Sequence, residues 1–112
     1  MPLAKIQCTK EITNETLQLI SDIIKDITGK QESHIMVTAN LTTSFCMNRD
    51  YDGDGAFIDI RGVGGFSQSI NSDISIQIST LLVDTLNINP ERIFFNFTSL
   101  EGNFWGHSEG TY

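Results

Sequence analysis

The hydrophobic and polar positions along the chain switch between two periodicities, and the switches mark the secondary-structure elements. Residues 3–9, LAKIQCT, alternate like a half-buried strand, and residues 34–42, HIMVTANLT, are rich in strand-forming side chains. Thr13 or Asn14 can cap a helix between these two strands, and Gly29 can end it. The apolar side chains of that helix recur at three- and four-residue steps, at Leu17, Ile20, Ile23, Ile24 and Ile27.

The second half of the chain repeats this order of elements. AFIDIR at 56–61 and the aromatic RIFFNFT at 92–98 predict strands, and Pro90 opens a turn before the second of them. Residues 67–86 are ambiguous, because the central DISIQIS alternates as a strand does. A helix is favoured by the length of the segment and by apolar residues at helical steps, namely Ile70, Ile74, Ile78, Leu81, Leu82 and Leu86. The glycine-rich tail, 100–112, permits no assignment.

Each half therefore reads β-α-β, an internal repeat of about 55 residues in which each helix can cross over between parallel strands. The predicted fold is α/β: a single domain over residues 1–112 with a four-stranded mixed sheet and both helices on one face. The other face of the sheet would then be bare and largely apolar. We expect it to be buried against partner subunits.

Composition and charge narrow the possible partners. The 112 residues suit one domain, and no apolar run approaches the roughly 20 residues that cross a bilayer, so we expect no membrane partner. A net charge of −7 and scattered basic residues disfavour binding to nucleic acid. An anionic ligand would need a local cation.

The first ten residues and the cysteines bear on cellular location. MPLAKIQCTK has neither a basic leader nor an apolar central segment, so we expect no signal peptide. Cys8 and Cys46 form no C-x-x-C pair and suggest neither a disulfide framework nor a zinc site, and Cys8 should be a small buried hydrophobe. We expect a cytoplasmic protein, with leaderless secretion as the possible export route.

An acidic stretch, DYDGDG from Asp50 to Gly55, raises the question of calcium binding through Asp50, Asp52 and Asp54. An EF-hand loop needs a glutamate at its twelfth position, and here that position is Arg61. The residues after Gly55 favour a strand rather than an exiting helix. We therefore predict a turn that leads into a strand, and no metal site.

The N-terminal Met-Pro pair offers a different chemistry. If Met1 is removed, Pro2 carries a free secondary amine, which titrates near pH 8 in water and lower in apolar surroundings or beside a cation. Such a base suits proton abstraction next to a carbonyl group. The alternative is a proline that simply starts an edge strand.

Five segments in order, MPLAKI, TGK, IRGVGG, NPERIFFNF and FWGHSEGTY, resemble the macrophage migration inhibitory factor and D-dopachrome tautomerase family. The resemblance implies a homotrimer in which three sheets wrap into a barrel. It also implies a cofactor-free keto-enol tautomerase acting on small aromatic 2-keto acids such as phenylpyruvate, or on dopachrome esters. The alternative is a cytokine-like signalling or binding protein of the same fold with a vestigial site.

By the same resemblance, Pro2 is the catalytic base that moves a proton between the α-carbon and the oxygen of the substrate. Lys30 is the cation that holds the anionic oxygens of the substrate and lowers the pKa of Pro2. Without the resemblance, Lys30 would be a lysine favourably placed at a helix C-terminus. The resemblance further implies that the backbone N–H of Ile60 binds the substrate carboxylate and that Asn96 reaches the pocket of a neighbouring subunit; the alternative for Asn96 is a structural contact across the trimer.

The chain also departs from the family pattern. Phe94 replaces a tyrosine common in animal members, which keeps the pocket wall but removes a hydroxyl donor. The DGDG turn stands where animal cytokine members have a C-x-x-C pair, so a thiol oxidoreductase role is not carried over.

Residues of the tail resemble the lip of the pocket. Phe104 and Trp105 match its aromatic and apolar lip, and packing against a neighbour explains them equally well. His34 and His107 either line the same cavity or are ordinary surface or core histidines.

Overall fold

The computed structural model describes residues 2–112 and contains the two β-α-β units expected from the sequence. The first consists of β1 (Leu3–Cys8), α1 (Asn14–Thr28) and β2 (Met36–Leu41), and the second of β3 (Ala56–Val63), α2 (Gln68–Leu86) and β4 (Ile93–Leu100). The tail forms a short hairpin of β5 (Gly106–His107) and β6 (Gly110–Thr111), and 3-10 turns cover Glu32–His34, Pro90–Arg92 and Gly102–Phe104. Within residues 2–112, no helix has the length and apolar character needed to span a bilayer.

One four-stranded mixed sheet joins the two units in the order β2-β1-β3-β4. Strands β1 and β2 are parallel, as are β3 and β4, whereas β1 and β3 are antiparallel. Leu3 lies opposite Arg61, so the start of β1 and the end of β3 lie side by side at one end of the sheet.

Local signals set the ends of both helices. The Thr13 hydroxyl accepts the backbone N–H of Thr16, and Gly29 ends α1 with a left-handed φ of 71°. These two expectations are confirmed. Ser67 caps α2 by accepting the N–H of Ile70, and Asn87 ends α2 with a φ of 55°.

The ambiguous segment is helical. Ile74, Ile78 and Leu82 are fully buried on one face of α2, whereas Ile76 is 61% exposed on the other side. The segment DISIQIS therefore alternates like a strand because Ile76 is an apolar residue on the solvent-facing side of the helix.

Both helices cover one face of the sheet, and the core lies between the helices and that face. Cys8 is 1% exposed, which confirms its expected role as a small buried hydrophobe, and burial is the main reason why its thiol pKa is raised. The other central side chains are Ala4, Ile6, Ile20, Ile24, Ile58, Ile60, Ile74, Ile78 and Leu82.

The outer face of the sheet is more polar than expected, so the prediction of a largely apolar face is wrong. Phe57 and Phe94 are 40% and 51% exposed there. Further along β3, Arg61 donates two hydrogen bonds to Asp59, at 3.1 Å from Nε and 2.7 Å from a terminal nitrogen. Because charged and polar side chains alternate with the buried ones, this face does not require a partner on hydrophobic grounds alone.

Candidate active site

A cavity of about 340 Å³ opens at the start of β1, beside the tail. Its volume falls within the range typical of small-molecule sites. Apolar and aromatic side chains form most of its wall, and two imidazoles add polar atoms; the residues that matter below are Pro2, His34, Met36, Trp105, His107 and Tyr112.

Pro2 is the lining residue that could supply a base. Its side chain is fully buried, and its carbonyl oxygen accepts the N–H of Met36 at 3.0 Å, which fixes Pro2 between β1 and the start of β2. The nitrogen of Pro2 is basic only if Met1 is removed, and Met1 lies outside the described residues.

Lys30 lies at the same end of the sheet as Pro2. It follows Gly29, and its ammonium donates a hydrogen bond of 2.9 Å from Nζ to the carbonyl oxygen of Val63. Since Leu3 pairs with Arg61 and the two strands are antiparallel, Pro2 lies opposite Gly62, the residue before Val63. The register thus brings Pro2 and Lys30 to the same corner, although Lys30 is not one of the cavity-lining residues.

The glycine-rich corner after β3 makes room for Lys30. Gly65 has a φ of +82°, and a Cβ atom built there would lie 2.7 Å from Cε and 3.1 Å from Nζ of Lys30. The preceding Gly64 has a φ of +65°, and nothing lies within 4 Å of a Cβ built on it. The segment IRGVGG is therefore tied physically to TGK, two of the segments on which the family resemblance rests.

Three of the expected substrate-binding residues lie on the sheet. The side chain of Ile60 is fully buried in the core, opposite Ala4. Phe94 lies on the outer face. Asn96 is exposed on the same face, where its Nδ2 donates to Oδ1 of Asp59 at 3.0 Å and to the Thr98 hydroxyl at 2.8 Å.

The two aromatic residues of the tail differ. Trp105 lines the cavity with Pro2, whereas Phe104 is 70% exposed and is not among the lining residues. His34 and His107 both line the cavity and are both exposed, so each is a surface histidine at the cavity wall.

Tyr112 also lines the cavity and was missed from the sequence. Its N–H donates to the carbonyl oxygens of Gly102 and Trp105, at 3.1 and 3.3 Å, which folds the chain end back over the tail. An aromatic residue at the end of a glycine-rich segment was the available signal, but its position depends on contacts remote from local periodicity.

The acidic loop is organised around a protein cation. Nε of Arg92 donates to the carbonyl oxygen of Asp54 at 2.8 Å, and its terminal nitrogens donate to those of Met47, Asp50 and Gly53 at 3.2 to 3.3 Å. The Asp50 carboxylate accepts the N–H groups of Asp52 and Gly53, which is the main reason why its pKa is lowered.

The three aspartates do not converge on a common point for a metal. Across residues 2–112, no group of three or more His, Cys, Asp or Glu side chains is arranged to hold one. The observed arrangement is that of a turn leading into β3, as the sequence predicted.

The family model for macrophage migration inhibitory factor matches residues 1–111. Among solved structures, the macrophage migration inhibitory factor-like protein of Entamoeba histolytica is 27% identical, with a TM-score of 0.85 over 99% of this chain and 98% of that one. The homologue from Prochlorococcus marinus is 19% identical, with a TM-score of 0.90 over 98% of both chains. A protein designated Pt0534, described as inactivated by 2-oxo-3-pentynoate, is 13% identical, with a TM-score of 0.84 over 96% and 93% of the two chains. No curated protein sequence matches the chain.

The double β-α-β fold, with a proline-lined cavity at the start of β1, is that of the tautomerase superfamily. Because its family model spans nearly the whole chain, the chain belongs to the macrophage migration inhibitory factor family.

Proposed function

We propose that the protein is a cofactor-free keto-enol tautomerase for small aromatic 2-keto acids of the phenylpyruvate or dopachrome type, with the amine of Pro2 as its acid and base. The observation that carries the proposal is the position of Pro2, which is fully buried and lines an aromatic and apolar cavity large enough for such a substrate. Apolar surroundings disfavour a charged amine and so favour the free base.

Lys30 supplies the cation in this proposal. Its ammonium is held at the Pro2 corner by the Val63 carbonyl oxygen. A single hydrogen bond to a neutral acceptor leaves two N–H groups for the anionic oxygens of a substrate. A positive charge there stabilises the enolate that develops as the proton leaves carbon, and it also favours the neutral form of the Pro2 amine.

The N–H of Ile60 has a different place in the proposal. Family resemblance assigns it to the substrate carboxylate, and the strand register puts Ile60 two residues before Gly62 on the strand that ends beside Lys30. Phe94, Asn96 and Phe104 would act across a subunit contact, since they lie on exposed surfaces of the single chain.

We propose a homotrimer for the same reason. The outer sheet face carries Phe57 and Phe94, together with a ready-made polar network from Asp59 to Asn96. Size exclusion with light scattering should give three times the 12.5 kDa chain mass. A monomer at micromolar concentration would contradict the assembly but not the chemistry at Pro2.

The test of the chemistry is conversion of the enol of phenylpyruvate to its keto form, followed by ultraviolet absorbance. Pro2→Gly should abolish activity because it removes the secondary amine and its ring packing. Pro90→Gly is the matched control, since it makes the same change at the other proline of the chain, which lies outside the cavity. Equal rates in wild type and Pro2→Gly would rule out the proposed base.

Intact mass must accompany the assay. Retention of Met1 would make the Pro2 nitrogen an amide without a basic lone pair, and an inactive sample of that mass would have to be processed and assayed again. With Met1 removed, we expect 2-oxo-3-pentynoate to inactivate the protein, as it does the structural neighbour. A processed protein that neither turns over the enol nor reacts with this compound would favour the signalling alternative.

A further inference from the structure

Thr28 is the last residue of α1, and its hydroxyl forms hydrogen bonds on both sides of the point where the chain leaves the helix. It donates to the carbonyl oxygen of Ile24 at 2.6 Å and accepts the backbone N–H of Lys30 at 3.2 Å. The proposed function assigns no role to this side chain. Because Lys30 is the cation of the proposed site, the Thr28 hydroxyl can act on that cation through the backbone.

The backbone N–H of Lys30 needs a partner because the helix has ended. Gly29 is left-handed, with a φ of 71°, and its own N–H donates to the carbonyl oxygen of Lys25 at 2.8 Å. In the other common helix ending, the Schellman motif, that carbonyl would accept the N–H of the following residue, here Lys30. Instead, the Thr28 hydroxyl accepts this N–H. The hydroxyl therefore helps to set the direction in which the chain leaves α1.

The other end of Lys30 is held separately. Its Nζ donates to the carbonyl oxygen of Val63 at 2.9 Å. Lysine carries its ammonium on a flexible four-carbon stem, so this one contact does not by itself fix where the ammonium lies. An anchor at the backbone N–H limits the directions from which the stem can reach Val63. Loss of that anchor should therefore release the ammonium from the Pro2 corner for part of the time.

We propose that Thr28 is a positioning residue, whose hydroxyl bridges the Ile24 carbonyl oxygen and the Lys30 N–H and thereby holds the Lys30 ammonium beside Pro2. Its effect on the reaction rests on the proposed function. Thr28 is not among the residues that line the cavity, so it acts only through Lys30. Since a nearby cation disfavours a protonated amine, displacing the ammonium should raise the pKa of the Pro2 amine.

Four variants separate this role from general support of a helix end. Thr28→Val removes the hydroxyl and keeps the shape of the side chain, and Thr28→Ala removes the hydroxyl with a residue that favours helix. Thr28→Ser keeps the hydroxyl. Thr85→Val is the matched control, because the Thr85 hydroxyl makes the same backward hydrogen bond, to the carbonyl oxygen of Leu81 at 2.7 Å, near the end of α2.

The first readout is kcat/KM for the enol of phenylpyruvate as a function of pH. We expect Thr28→Val and Thr28→Ala to lower it about fivefold, the size of one hydrogen bond, and to move the acidic limb of the profile to higher pH. Thr28→Ser and Thr85→Val should match wild type in both respects. A purely structural loss would reduce the amount of active protein without moving the limb. An unmoved limb in Thr28→Val, or equal impairment in Thr28→Ser, would overturn the proposal.

The second readout does not depend on catalysis. Acetylation by acetic anhydride, measured by peptide mass spectrometry relative to the exposed Lys5, reports how freely the Lys30 amine is released. It should be about fivefold faster in Thr28→Val than in wild type or Thr28→Ser, because the same hydrogen bond opposes release. If this holds while wild type fails to turn over the enol, the tautomerase proposal fails and the positioning of Lys30 stands. Equal acetylation in wild type and Thr28→Val would overturn the positioning, whatever the activity.

Discussion

Replacing Arg92 should lower the free energy of unfolding, because this side chain holds the loop between β2 and β3. Its guanidinium donates hydrogen bonds to the carbonyl oxygens of Met47, Asp50, Gly53 and Asp54. The side chain is only 10% exposed, and Cζ lies 4.9 Å from the centre of the Phe45 ring. Arg92 thus ties the loop between β2 and β3 to the start of β4.

The expected loss in Arg92→Ala can be built from these contacts. Hydrogen bonds to a charged group contribute about 1.5 to 3 kcal/mol each, but the freed carbonyl oxygens in this loop can regain water. Counting two of the four bonds at the lower end of that range, with about 1 kcal/mol for the contact with the Phe45 ring, gives a loss of about 4 kcal/mol. The ion pair from Arg92 to Asp50, at 3.4 Å, adds little because Asp50 is half exposed.

Arg92→Lys should lose less, about 2 kcal/mol, because an ammonium keeps the charge but cannot fork to four acceptors. Urea unfolding followed by circular dichroism measures both variants. Arg49→Ala is the control, because Arg49 is an exposed arginine of the same loop whose side chain makes no hydrogen bond or ion pair within residues 2–112. It should cost less than about 0.5 kcal/mol.

A loss in Arg92→Ala no larger than that in Arg49→Ala would show that the loop does not depend on the guanidinium. Equal losses in Arg92→Ala and Arg92→Lys would show that the geometry of the fork, rather than the charge, supplies the whole effect.

Two further predictions concern the corner of the site and the outer face. Gly65→Ala should displace the ammonium of Lys30 and lower kcat/KM about tenfold, whereas Gly64→Ala, with similar backbone strain and no contact to Lys30, should leave activity nearly intact. Hydrogen bonds from Arg61 hold the pKa of Asp59 below its ordinary value of 3.8, so this stabilisation is present above about pH 4 and lost as pH falls through the lowered pKa. Urea unfolding of wild type and Asp59→Asn should therefore converge toward about pH 2, and a constant difference would contradict it.

The elements were predictable because each buries a regular set of side chains. The helical spacing of Ile20 and Ile24 and the cap at Thr13 are local properties, and the structure reproduces both. In α2, the length of the segment outweighed a misleading alternation around Ile76. Parallel pairing within each unit followed from helix length, since a crossover needs about that many residues.

The rest depended on contacts that no local pattern encodes. The role of Arg92 rests on loop carbonyl oxygens about 40 residues earlier in the chain, and backbone acceptors have no signature in side-chain sequence. The closeness of Tyr112 to Pro2 joins the two ends of the chain. The outer face is an exception, because the strand alternation predicts that Asp59 and Arg61 point outward, so the polarity of that face was available from the sequence.

The internal repeat also bears on why the proposed proton transfer is placed at one corner and not at its counterpart. The two units should generate similar corners, one at the start of β1 and one at the start of β3. At the second corner the chain arrives from a loop, so the nitrogen of Gly55 is an amide, and its N–H donates to the Thr9 hydroxyl at 3.0 Å. The Phe45 ring occupies the space where a Gly55 side chain would lie.

At the first corner the side chain of Pro2 is buried, and a cavity remains beside it. An amine can exist at only one of two otherwise similar positions. In the proposed mechanism, removal of Met1 gives Pro2 a basic amine, whereas Gly55 could gain one only if the loop that Arg92 holds were cut.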